Sequence, residues 1–344
     1  MGRTRLLGGG GSFAMRLLQL KDKTGRRRVG VVEDARVHLL NRVDSVYALA
    51  QHALAAHESL VDQARKLRRS DSLSYDEIYA GSSDWRIMPA VDHPREPARC
   101  LLSGTGLTHL KSAQSRQAMH ASGTAPSDSM RMYEWGMEGG RPAHGQIGTS
   151  PEWFYKGCGT MLRAHGEPLL IPPHAEDGGE EAEIAGIYII DAAGSPRRLG
   201  MAIGNEFSDH VVEKKNYLYL AASKLMLCAI GPELVTDAQF DSLAGEVAIK
   251  RNGELLWRRE IHSGEKAMCH SLANIEYHHF KHPLHRRPGD VHVHFFGADA
   301  FSSGDVKLKD GDEMHISFEG MGRALVNPVA LDATPQTQFC ASPL

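Results

Sequence analysis

The stretch GGEEAEIAGIYII, residues 178–190, decides how the chain is read. From Ile184 onward it is apolar and β-branched, which reads as a buried strand over 181–190. The run is far shorter than the roughly 20 residues that cross a bilayer. Side chains alternate across a strand, so Glu181 and Glu183 share one face. Two carboxylates aimed at one spot repel unless one is protonated or a cation lies between them. Burial raises that cost. A hard divalent ion such as Mg2+ or Mn2+ resolves the conflict, since such ions take oxygen ligands and keep waters that a substrate can replace. The alternative is an edge strand with two solvated charges.

Working outward, Leu199–Ile203 reads as the next strand and runs into GNEFSDH, residues 204–210. A turn and a returning strand would bring Glu206 beside Glu183 as a third carboxylate, with Asp209 as the alternative. Asn252-Gly253 sits between Glu246–Arg251 and Glu254–Arg259, a strong two-residue hairpin signal. Asp290–Phe296 alternates with Val291, Val293 and Phe295 on one face, and a last strand places Met314, Ile316 and Phe318 together. One long helix, around Cys269–Phe280, is expected among these strands. No βαβ rhythm and no repeat is present, which argues against a doubly wound sheet or a (β/α)8 barrel and for an α+β protein built on a mixed β-sandwich or roll.

Towards the N-terminus, Met15–Leu20 and Arg28–Val32 read as a hairpin with a third strand at Val37–Leu40. Ser45 is placed to cap a helix carrying Val46, Leu49, Ala50 and Leu54, and a second helix covers Leu60–Leu67. Three prolines between Ile87 and Pro97 set a boundary. The reading gives a disordered extension over 1–14, an N-terminal α+β domain over 15–97 and a catalytic domain over 98–344.

The 344 residues carry 39 Lys+Arg against 42 Asp+Glu, a net charge of -3, which lacks the basic excess of a nucleic-acid or anionic-membrane binder. The five cysteines form no CxxC pair and read as reduced thiols of a cytoplasmic protein. With 19 histidines, metal or acid–base chemistry is worth testing. His292 and His294 share a strand face, so a histidine–metal site for zinc or iron is one reading and pocket lining or a dimer contact the other. His278, His279 and His282 lie with Lys281, Arg286 and Arg287 at the end of the expected helix, where cations suit the helix C-terminus.

These motifs also carry a resemblance. Glu181-Ala-Glu183-Ile184 followed by Gly204-Asn205-Glu206-Phe207-Ser208 resembles the ExE and ND-x-S metal motifs of the fumarylacetoacetate hydrolase superfamily. Pro151-Glu-Trp-Phe-Tyr-Lys156 is similar to its F-x-K segment, Gly231-Pro232 to its GP turn, and Pro288-Gly-Asp-Val291 to its PGDV strand. Lys309-Asp-Gly-Asp312 and Gly320-Met-Gly322 resemble its closing motifs. Two departures stand out: the third ligand is Glu206 rather than aspartate, and His292–Gly297 replaces the usual loop after PGDV. Gly104–His109, Trp135–Gly140 and HVHFFG (292–297) resemble the branch of 2-keto-3-deoxypentonate dehydratases.

The resemblance implies a usually dimeric, metal-dependent enzyme of 2-oxo acids, with Glu181, Glu183 and Glu206 holding Mg2+ or Mn2+. It places Lys156 and His109 as catalytic groups and Lys224, Phe296 and Gly297 at the substrate. A 2-oxo acid chelates such an ion through its carboxylate and keto oxygens, which favours loss of a C3 proton. Expulsion of a C4 hydroxyl then gives dehydration, here of a 2-keto-3-deoxypentonate to 2-oxoglutarate semialdehyde. The rival readings are C–C hydrolysis of a 2,4-diketo acid on the same site and a non-catalytic sugar-acid sensor.

Overall fold

The computed structural model describes residues 14–120 and 126–344; residues 1–13 of the expected extension lie outside them. The described strands form two sheets. The path of the larger runs from Arg68–Ser74 through Arg36–Leu40, Arg27–Glu33, Arg16–Asp22, Leu234–Val235, Pro196–Asn205, Ala182–Ile190, Val291–Phe295 and Cys100–Gly104 to Phe154–Cys158. The smaller is ordered Glu254–Ser263, Leu243–Arg251, Glu313–Phe318, Leu325–Leu331 and Leu169–Ile171.

The expected N-terminal hairpin forms, with Arg16 opposite Val32 and Lys21 opposite Arg27. Ser45 caps the helix Val46–Ala56 by accepting from the Ala48 N–H, and Leu60–Leu67 follows as a second helix. The first strand also pairs antiparallel with Leu234–Val235, so the N-terminal strands continue the large sheet. Asn252 and Gly253 both adopt positive φ, at 52° and 83°, as a tight hairpin turn between Leu243–Arg251 and Glu254–Ser263 requires.

Strand Ala182–Ile190 is buried along its whole length. Ala182 and Ile184 pack with Val247, Ile249, Met314 and Ile316 of the smaller sheet. Ala185, Ile187 and Ile189 pack with Val46, Leu49 and Ala50 of the first helix. A strand covered on both faces needs apolar residues at every position, which is why alternation fades here.

Helices Leu110–His120 and Asp128–Gly139 correct the expectation of one long helix beyond residue 98. Their apolar side chains are too few to draw a 3.6-residue stripe. Gly136, a poor helix former, sits mid-helix because a Cβ there would stand 2.6 Å from Cys269 Sγ. Tertiary contact, not local propensity, sets that segment.

Candidate active site

Three carboxylates meet because two strands pair in a fixed register. Ala182 lies opposite Asn205 and Glu183 opposite Gly204 in the antiparallel pair Ala182–Ile190 and Pro196–Asn205. The Glu206 N–H donates to Glu181 O at 3.0 Å, and the Glu181 N–H donates to Asn205 Oδ1 at 3.3 Å. Gly204 is needed at the crossing, since a Cβ there would stand 2.5 Å from the Phe295 ring. Glu181, Glu183 and Glu206 thus each bring a carboxylate oxygen within 4.8 Å of the others, and all three are buried. Among the described residues this is the one acidic, histidine or cysteine group so arranged. Asp209 is not part of it: its carboxylate caps the helix His210–Lys215 through the Val212 N–H and accepts from the Glu176 N–H.

Two buried ammonium groups serve three carboxylates. Lys224 Nζ donates to Glu181 Oε1 and, at 2.5 Å, to Glu206 Oε2, while its charge lies 4.8 Å from the Phe154 ring centroid. Lys156 Nζ is 2.6 Å from Glu206 Oε1 and donates to Phe207 O at 2.5 Å and Lys224 O at 2.9 Å. A lysine has three N–H donors, and these contacts occupy all of them. In this arrangement Lys156 ties Glu206 to the backbone at residues 207 and 224. Glu183 has no ion pair among the described residues; its Oε2 accepts from the Gly297 N–H at 2.7 Å. Gly297 has φ 98°, and a Cβ on it would stand 2.1 Å from Thr108 Oγ1.

The electrostatics follow from that imbalance. Burial, reinforced by the like charges of Glu181 and Glu206, drives the Glu183 carboxyl well above the usual range. Burial also pushes Glu206 up to about 7 against the pull of Lys156 and Lys224. Burial acts on Glu181 in the same direction, but Lys224, the His210 hydrogen bond and Arg116 outweigh it and hold that carboxyl well below. Three oxygen donors, closely spaced, dry and short of positive charge fit a small divalent ion.

A pH dependence follows. A carboxyl whose folded pKa is raised stabilises the fold below its unfolded pKa, and that contribution fades as pH rises through the folded value. The metal-free protein is expected to lose stability between about pH 4.5 and about 7 through Glu206, and further through Glu183. A divalent ion held by the triad would take the place of the lost protons, so a Mg2+-induced rise in thermal midpoint is expected to grow from pH 6 to pH 8. Titration calorimetry in two buffers of different ionisation heat should record proton release at pH 6. A midpoint shift independent of pH would sink the assignment.

A second buried constellation lies beside the triad and was missed in the sequence. Arg116, from helix Leu110–His120, is 2.5 Å from Glu213 and 3.8 Å from Glu152. The Tyr217 hydroxyl donates to Glu152 Oε1. Burial raises the Glu152 carboxyl, against Arg116 and the Tyr217 hydrogen bond. Gly106 admits it, because a Cβ at 106 would stand 2.1 Å from Glu152 Oε2. The signal available in the sequence was a lone acid just ahead of the Phe154–Lys156 segment, which is weak.

The other expected residues are placed as follows. His109 joins the site indirectly: Thr108 Oγ1 donates to Phe296 O at 2.8 Å and lies 2.9 Å from His109 Nδ1. With its proton given to Phe296 O, the hydroxyl accepts from Nδ1–H, leaving Nε2 as a buried lone pair with no partner among the described residues. Burial lowers His109 to about 4, and the charges acting on it are Asp299 and Lys111. The Phe296 ring packs in the core against Phe240, with centroids 5.1 Å apart. His292 and His294 do not form a ligand pair. His294 bonds Ser103 and Thr105 at 2.8 and 2.7 Å, and His292 Nδ1 lies 3.0 Å from His279 Nε2. The Trp153 indole N–H donates to His279 Nδ1 at 3.2 Å, and His292 Nε2 at the end of this chain of rings is buried with no partner among the described residues.

Comparison with known proteins places this geometry. No protein-family model matches the chain. The chain is 26% identical over 181 residues to a probable 2-keto-3-deoxyxylonate dehydratase of Haloferax volcanii, an alignment covering 50% of this chain and 58% of that relative. A solved 2-keto-3-deoxy-D-arabinonate dehydratase superposes with TM-score 0.69 at 21% identity, covering 93% of this chain and 100% of that one. The chain thus shares the fold of that dehydratase. A 2-keto-3-deoxy-D-arabinonate dehydratase is also solved in complex with magnesium and 2,5-dioxopentanoate, with TM-score 0.69 at 20% identity over 93% of this chain and 100% of that one. A 5-carboxymethyl-2-hydroxymuconate delta-isomerase from Mycobacterium smegmatis shares the fold at TM-score 0.56 and 17% identity, over 92% of this chain and 100% of its own. This fold thus hosts more than one chemistry, and the site has to carry the functional argument. No helix among the described residues is long and apolar enough to cross a membrane.

Proposed function

We propose that the protein is a divalent-metal-dependent hydro-lyase that dehydrates a 2-keto-3-deoxy sugar acid, a 2-keto-3-deoxypentonate giving 2-oxoglutarate semialdehyde. The observation that carries this reading is the buried triad of Glu181, Glu183 and Glu206 served by only two ammonium groups. The names of two of the similar proteins, each a pentonate dehydratase, support the substrate class. Glu181, Glu183 and Glu206 would hold Mg2+ or Mn2+, which supplies a Lewis acid for the carboxylate and keto oxygens of a bound 2-oxo acid.

The chain's own residues supply the rest. Dehydration needs a base for the C3 proton and an acid for the C4 hydroxyl. Lys224, with one N–H left after serving Glu181 and Glu206, stands on one side of the triad. Glu152, buried and biased towards its protonated form, stands near it and is the acid this reading assigns. Arg116 and Tyr217 keep that carboxyl in place. Lys156 fixes Glu206, and the Gly297 N–H fixes Glu183. We further propose a cytoplasmic homodimer in which residues 15–97 form an N-terminal α+β domain and residues 98–344 the catalytic β-sandwich roll.

The test is a coupled assay on chelator-stripped protein with a panel of 2-keto-3-deoxy acids, with and without Mg2+. Metal-restored formation of a 2-oxo semialdehyde is the expected result. Cleavage of a 2,4-diketo acid into two fragments, with no dehydration, would move the chemistry to hydrolysis on the same triad. Ligand-induced thermal stabilisation without any turnover would leave a binding protein.

A further inference from the structure

His210 opens the helix His210–Lys215 behind the triad, is 5% exposed, and takes no part in the chemistry assigned above. Its Nε2 lies 3.0 Å from Glu181 Oε1. An ionised carboxylate only accepts, so Nε2 carries the proton in this contact. The other ring nitrogen, Nδ1, is buried with no partner among the described residues, and the chain presses against it: a Cβ at Gly179 would stand 2.4 Å from Nδ1. The Phe301 ring lies 5.3 Å from the imidazole centroid. Asp209 caps the helix that starts with His210 and ties it to residue 176, so the backbone beneath the ring is itself fixed.

Lys224 shares the same oxygen, Glu181 Oε1. The two donors differ in how they are held: Lys224 Nζ is shared with Glu206 Oε2, whereas the His210 ring has no other hydrogen-bond partner among the described residues and is wedged between Gly179 and Phe301. We infer that His210 is a positioning residue that engages Glu181 Oε1 and leaves Oε2 to face the ion, making Glu181 a one-oxygen ligand. That restriction selects for Mg2+, which takes single oxygens in a tight octahedron, over Ca2+, which accepts bidentate carboxylates and more ligands. The inference rests on reading the triad as a metal site.

The test compares wild type with H210Q and H210F by electron paramagnetic resonance of Mn2+, displaced by Mg2+ and by Ca2+, on the full chain. Phenylalanine keeps the ring and removes the donor; the glutamine amide nitrogen can reach the position of Nε2. Partners behind metal ligands are commonly worth 10–100-fold in affinity, so H210F should lose Mg2+ affinity by about that factor while Ca2+ affinity changes less than about threefold. H210Q should keep the wild-type preference. H210N, whose amide is too short to reach Oε1, repeats the loss in a polar side chain should H210F fail to fold. An unchanged Mg2+/Ca2+ ratio in H210F or H210N overturns the inference, as does an equal loss of both ions. A wild-type protein that binds no Mn2+ overturns the metal site itself, which is a separate result.

Discussion

Glu183→Ala is expected to abolish both metal binding and turnover. Glu183 is the member of the triad that lacks an ion pair and whose carboxyl is held highest, so a dication gains most from it. A Lewis-acid ion contributes several kcal/mol to a reaction of this kind, and each 1.36 kcal/mol is tenfold in rate, so kcat/KM should fall by at least about 1,000-fold. The same variant should be more stable than wild type when both are metal-free at pH 8, because it removes a buried carboxyl whose ionisation the fold opposes. Retained metal and activity in Glu183→Ala would refute the site. The paired readout separates a lost ligand from a damaged fold, since a damaged fold lowers activity and stability together.

Lys156→Met is expected to act mainly on folding. Its ammonium group is fully buried and neutralises Glu206 while tying down the backbone carbonyls of Phe207 and Lys224. Removing one partner of a buried ion pair leaves the other charge stranded and costs about 3–5 kcal/mol. Urea unfolding of the metal-free variant should show a midpoint lowered accordingly, with saturating Mg2+ recovering part of the loss through Glu206. If Lys156→Met folds as wild type and loses only turnover, the lysine is a chemical group after all. The sequence motif alone could not separate these roles, because both require a lysine at that position.

How much could be read without coordinates depended on whether a signal was local. The hairpins, the Ser45 cap and the strand carrying Glu181 and Glu183 were legible because alternation, capping and turn chemistry act within a few residues. Glu206 was legible because one turn and one strand return bring it back, a distance that register controls. The helices at Leu110–His120 and Asp128–Gly139 were not, since their apolar faces are thin and Gly136 answers to Cys269 across the fold. Glu152 and Arg116 were missed for the same reason: their pairing joins separate segments and leaves no periodic trace. His292 and His294 show how an open alternative is decided. An H-x-H pattern looks like a ligand pair, but here one ring serves Ser103 and Thr105 and the other His279.

The pairing of the first strand with Leu234–Val235 also has a meaning for biosynthesis. Met15 bonds Thr236 across 221 positions, so the partner edge does not exist when that strand leaves the ribosome. At translation speeds of roughly 5–20 residues per second, the edge waits about 10–45 s for its mate. Only the Arg16–Leu17 end waits, because Leu20–Asp22 pair with Trp85–Ile87 much earlier. That short open end is a template for pairing with other chains until residue 235 has emerged.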